Sequence, residues 1–205
     1  MSRTGKNRFD DAGWREVSSA AGEDSVMALA THECVELLEQ GLALIPALSD
    51  EDYRSSDPTP TNRNGWSSPG SHLRHLLDFV DCLQMGIEAR RVDYTSRKRR
   101  TDTETSREAG SRGLAKSIQG LAHIRSLDAR LPLEVRPEPN QGWSRPSLAR
   151  EIQFVSAHVV HHLALIRISL SKRGIEVPLE FGVAASTRAH LAVNRSGDRS
   201  RTRFT

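Results

Sequence analysis

Aromatic residues are scarce in this chain, at 5%, and only two of its 205 residues are cysteine. Two thiols cannot build a disulfide scaffold, and Cys34 and Cys82 both fall in helical apolar patterns, where a free thiol packs as a small hydrophobe. Both are expected to be reduced. No run approaches the ~18 consecutive apolar residues of a membrane span, and the opening residues lack the apolar stretch of a secretory signal. The expectation is a cytoplasmic protein with no membrane partner. A Gly-rich phosphate loop and a G-x-S-x-G elbow are both missing, which disfavours nucleotide-dependent and serine-hydrolase chemistry. No repeat of 20 to 50 residues is visible, which excludes a solenoid.

The charge is basic but small, +3 from 29 Lys and Arg against 26 Asp and Glu, with a sequence pI of 9.2. Its location matters more than its size. Arg188, Arg195, Arg199, Arg201 and Arg203 lie near the C-terminal end, and Arg97, Lys98, Arg99 and Arg100 form one run in an apparent interhelix connection. A nucleic-acid surface needs basic residues on one ordered face, with aromatics for stacking if it binds single strands. With aromatics so few, the basic residues read as solvated tails and a solvated loop, and nucleic acid is an unfavoured partner.

Length and apolar spacing point to one domain. Residues 1–23 and 193–205 carry no apolar period and are expected to be disordered, leaving residues 24–192 as the folded unit. The pattern predicts an all-α four-helix bundle. Helix one is expected over residues 24–48, where Leu37, Leu38, Leu42 and Ile45 recur at spacings of three and four. Residues 49–68 are rich in Pro, Asn, Gly and Ser and are expected to be a long irregular loop. Helix two opens at Ser68 and Pro69, a cap followed by a tolerated proline, and is expected to reach about Arg91. Helix three is expected over residues 105–130, weakened by Gly110, Gly113 and Gly120 at about 1 kcal/mol each relative to alanine. Residues 133–136 alternate like a short extended arm, too short to seed a sheet. Helix four is expected from Ser144-Arg145-Pro146 to about Lys172, with Gly174 as its stop. A dimer through a helix face is the default expectation for assembly.

Helix four carries AHVVHHLALI, and its geometry follows from about 100° of rotation per residue. With Leu148 at zero, Ile152, Val155, Val159, Leu163, Ile166 and Leu170 cluster in one direction, which is the core face. His158 and His162 fall on one flank of that face a turn apart, and His161 points the opposite way. An i, i+4 imidazole pair beside an apolar seam can chelate one ion. Chance supplies about 0.3 such pairs in a chain with eight histidines, so a further ligand is needed. Helix two offers His72 and His75 on one flank of its own stripe, with His72 slightly nearer the seam by phase. Three neutral imidazoles on two facing helices leave open coordination positions, the arrangement of a catalytic rather than a closed structural site. His32, His123 and His190 have no partner at ligand spacing.

These residues resemble the DinB/YfiT-like metal-binding bundles. Trp66-Ser67 precedes helix two, helix two carries His75-Leu76-Leu77-Asp78, and helix four carries the His-x-x-His-His step from His158 to His162. The resemblance spans residues 24–173 and implies His75, His158 and His162 as ligands of a divalent ion, with His72 as a substitute or outer ligand. Imidazole suits zinc, nickel, iron and copper alike. Asp78, one turn after His75, is either an orienting carboxylate or a solvated one. Trp66 and Trp143 would staple the chain onto helices two and four or line the metal pocket. Members of the family include thiol S-transferases that use low-molecular-weight thiols, so the resemblance implies a metal-dependent transferase or hydrolase acting on a small molecule. Asp78, His72 and His161 are the candidate bases. The alternative is a non-catalytic metal-binding or structural bundle that works through a protein partner.

Overall fold

Four serines each begin a helix by accepting, through the side chain, a backbone N–H at the third helical position. The computed structural model describes residues 20–56, 68–99 and 101–190. Ser49 caps α2 (Asp50–Arg54), Ser68 caps α3 (Pro69–Gly86), Ser106 caps α5 (Arg107–Ile124) and Ser147 caps α6 (Leu148–Lys172). A serine cap satisfies a donor that the helix cannot, worth typically about 1 kcal/mol relative to alanine. Other α-helices are α1 (Ala20–Leu44) and α4 (Thr101–Thr105), and residues 185–190 are helical as well.

The fold is all-α, a bundle of α1, α3, α5 and α6. Helix α6 packs on α1 and α3, and α5 packs on the same two from the other side, so α1 and α3 lie diagonally. Each helix turns its apolar stripe inward. On α6 the six residues placed on the core face by phase, Ile152, Val155, Val159, Leu163, Ile166 and Leu170, are all fully buried, as are Leu148 and the α3 residues Leu76, Val80 and Leu83. Burying one such side chain stabilises the fold by about 1.5–3 kcal/mol relative to exposing it. Cys34 and Cys82 sit in this core as free thiols. By length and mean hydropathy, α6 is apolar enough to cross a membrane, the one such helix among the described residues, and its apolar face is spent on the bundle core.

Several boundaries differ from the sequence expectation, each for a local reason. Residues 49–68 are not irregular throughout. Ser49 and Asp52 exchange hydrogen bonds in a capping box that nucleates α2, and Tyr53 of that helix is fully buried. Helix α3 ends at Gly86, five residues before Arg91, because the chain folds back so tightly that a Cβ at Gly86 would lie 2.6 Å from the Arg91 carbonyl. It leaves through Arg90 in the left-handed region, at φ 52°. The third helix is broken at Ser106, which caps α5 while α4 ends at Thr105. Helix α6 begins at Leu148 because Ser147 rather than Ser144 is the cap, and Gly174 ends it at φ 73° as expected.

The extended arm does form a sheet. Strand β1 (Arg91–Asp93) pairs in parallel with β2 (Glu134–Arg136), in the register Arg91 with Glu134, Val92 with Val135 and Asp93 with Arg136. Val92 and Val135 point into the core, which gives so short a pairing its stability. The segments expected to be disordered lie outside the described residues, except that Ala20 to Glu23 already belong to α1. Trp66, Ser67 and Arg100 also lie outside them.

Candidate metal centre

Helices α3 and α6 are neighbours, and that adjacency brings the histidine flanks together. The ring centroids of His75 and His158 lie 5.2 Å apart, and His162 lies 4.6 Å from each. One nitrogen from each of the three falls within 4.8 Å of the others, close enough for the group to hold a metal ion. His162 is buried, and His75 and His158 are half-buried. His161 is exposed on the outer side of α6, as its phase requires. His32, His123 and His190 are exposed as well.

His72 lies against His162. Its Nδ1 lies 3.1 Å from Nδ1 of His162, so one of the two rings donates a proton to the other there. An imidazole that ligates through one nitrogen keeps its proton on the second, and a fixed partner for that proton sets tautomer and orientation. With His162 donating at Nδ1, its Nε2 is left with a lone pair for a ligand.

The chemistry of the donor set fits a divalent ion. Burial lowers the pKa of His72, His75 and His158 to about 4 each and that of His162 to about 2. For His75 the Arg97 and Arg74 guanidiniums add to the same direction. All four rings are therefore neutral at pH 7, the state in which imidazole binds metal. His158 Nε2 is buried with no hydrogen-bond partner among the described residues. Such an atom ordinarily costs about 1–3 kcal/mol, and coordination is one way to meet that cost.

Around the cluster the walls are aromatic. Phe79 lies 3.9 Å from the His158 ring, centroid to centroid, and 5.1 Å from that of His75. Tyr94, just beyond β1, stacks on Phe79 at 4.8 Å and donates its hydroxyl to Glu151 of α6 at 2.7 Å. Burial raises the Glu151 pKa, and the Tyr94 hydrogen bond partly offsets this. The small sheet thus anchors the turn after α3 against α6, beside the histidines.

Known proteins do not settle the family. No family model and no solved structure matches the chain. One curated relative, FK506-binding protein 5 of Rhizopus delemar, is 31% identical over 106 residues, 49% of this chain and 27% of that protein. The match spans about a quarter of the relative's length, and the relative's name describes that protein alone.

Two sequence readings are sharpened at the site. Asp78 is not a solvated carboxylate, for it is buried and accepts a hydrogen bond from Arg74 Nη1 at 3.0 Å. Trp143 packs against Arg91 of β1. It is 40% exposed and carries the Arg91 guanidinium 4.0 Å above its ring. Sequence reasoning missed Phe79 and Tyr94 and read Arg97 only as part of a solvated basic run. Arg97 lies 4.4 Å over the Phe79 ring and lines a space of about 70 Å³ with Arg74, His75, Asp78 and Arg99. The spacing His75-x-x-x-Phe79 on one helix face was the available signal for Phe79.

Proposed function

We propose that this chain is a cytoplasmic divalent-metal-binding bundle of the DinB/YfiT-like kind, with His75, His158 and His162 as ligands and His72 orienting His162. The observation that carries this reading is the convergence of three neutral imidazoles between α3 and α6, one with a buried nitrogen that has no hydrogen-bond partner among the described residues. Zinc, nickel and iron all suit the ligand set. When bound, a divalent ion at a three-imidazole site lowers the pKa of a coordinated water or thiol toward neutrality and polarises a carbonyl.

The reaction class that follows is transfer of a low-molecular-weight thiol to an electrophile, or hydrolysis of a small amide or ester. The protein's own contribution is to exclude water with Phe79 and Tyr94 and to fix His162 through His72. Of the candidate bases, Asp78 is engaged by Arg74, His72 by His162, and His161 faces outward. Asp78 alone among them lines the space beside His75.

One observation favours a second reading. A space that His75 lines is small, about 70 Å³, with four charged side chains among its walls. A non-catalytic bundle, in which metal serves stability or a protein partner, fits a space of that size. Turnover separates the two. Metal-loaded wild-type protein is expected to consume a thiol and an electrophile, or to hydrolyse an ester, and His162→Ala to abolish this while keeping its helical circular dichroism. An undiminished rate in that variant rules out the enzyme reading, and metal-dependent melting without turnover of any substrate class supports the structural one.

A further inference from the structure

Arg97 belongs to a run of basic residues that looks like a solvated loop, yet its guanidinium is held. It lies 4.4 Å over the Phe79 ring, and that ring also packs against His158, 3.9 Å away centroid to centroid. Such stacking fixes the plane of an arginine fork at little entropic cost and leaves its N–H donors free to act. Neither Arg97 nor Arg99 forms an ion pair among the described residues. Arg74 is committed inward, to Asp78 at 3.0 Å and to Glu104 at 2.8 Å.

The space of about 70 Å³ between these groups is walled by Arg74, His75, Asp78, Arg97 and Arg99, so three of its four charged side chains are cationic. Asp78 is offset by Arg74, and neither Arg97 nor Arg99 has an ion-pair partner among the described residues. The volume suits one anionic group rather than a whole ligand. His75 is shared, forming a wall of this space with one surface and belonging to the histidine cluster with another.

We propose that Arg97 and Arg99 form an anion subsite beside the histidine cluster, and that the small molecule taken by the site carries a carboxylate or phosphate. The part concerning the site's small molecule rests on the metal-centre reading above, whereas the subsite itself does not. Two arginines recognise either oxyanion by charge-assisted, fork-like hydrogen bonds. A ligand bound there presents the atoms next to its acidic group to the histidines across His75.

Isothermal titration at constant ionic strength tests this, using inorganic phosphate and malonate as separate probes on full-length protein. Wild-type protein is expected to bind at least one probe with a Kd in the millimolar range or tighter, and the preferred probe tells phosphate from carboxylate. Arg97→Gln/Arg99→Gln is expected to weaken that binding at least tenfold and to leave metal content unchanged. Arg99→Gln alone, at an exposed position that folding does not need, is expected to show part of the loss. Arg125→Gln, an exposed charge just past the C-terminal end of α5, is expected to show none. Absence of binding by wild-type protein, or equal binding by the double variant, overturns the subsite. Arginine-dependent anion binding by a wild-type protein that takes up no metal keeps the subsite and discards the metal reading.

Discussion

Tyr53 and His158 are both polar residues held inside the bundle, and the fold treats them in opposite ways. The Tyr53 hydroxyl donates to the Thr103 carbonyl at 2.6 Å, and Gly110 makes room for it, since a Cβ there would collide with that hydroxyl. Every demand of the phenol is met inside the chain. At the α3–α6 seam, four histidines crowd together, their pKa values are driven down by burial, and His158 Nε2 has no hydrogen-bond partner among the described residues. The phenol's one donor is used within the chain, whereas the His158 nitrogen has a lone pair available to a ligand.

The contrast is sharpest under mutation of a ligand. His162→Ala is expected to weaken metal binding by more than the roughly 10–100-fold that an outer-shell partner is worth. Isothermal titration with zinc reads this, and an unchanged affinity puts His162 outside the site. His72→Ala is expected to fall within that roughly 10–100-fold range, because it removes only the partner that fixes the His162 tautomer. If His72→Ala costs more than His75→Ala, His72 is the ligand and His75 the bystander.

At the tyrosine the effect is on folding instead. Tyr53→Phe leaves the Thr103 carbonyl without its donor and is expected to cost about 1–3 kcal/mol in urea unfolding, with metal affinity unchanged. Gly110→Ala gains about 1 kcal/mol of helix propensity but overpacks Tyr53, and overpacking costs about 1–3 kcal/mol, so a small net loss is expected. A stabilised Gly110→Ala protein refutes the close packing there.

Acid separates the two regions in the metal-free protein. His75 and His158 protonate near pH 4 when folded, against about 6.5 when unfolded, so protons bind the unfolded chain more readily between those values. The destabilisation is absent above about pH 6.5, grows as pH falls, and is complete below about 4. Urea midpoints at pH 7.5 and 4.5 are expected to differ more for wild-type protein than for His158→Phe. Equal differences show that this seam does not govern the acid response.

Much of the bundle was legible because amphipathic helices write their packing in local spacing. The phase of α6 placed its six core residues and both flank histidines from rotation alone. The Ser49–Asp52 capping box was also local, but the Pro- and Gly-rich residues after it masked α2. The strands were hidden for another reason: three-residue segments pair only because α3 and the chain before α6 bring Val92 beside Val135. Arg97 looked like one member of a charge run because its ring partner, Phe79, lies 18 positions earlier on another element. The choice of His75 beside the α6 pair came from family resemblance rather than helical phase, which had leaned toward His72.

Metal content per chain is the most direct measurement of the centre between α3 and α6. Protein purified without a histidine tag and analysed by plasma mass spectrometry should carry close to one divalent ion per chain, lose it in His158→Ala and His162→Ala, and keep it in His161→Ala. Wild-type protein that stays empty after incubation with zinc, nickel or iron, or a His161→Ala variant that loses the ion equally, contradicts the assignment.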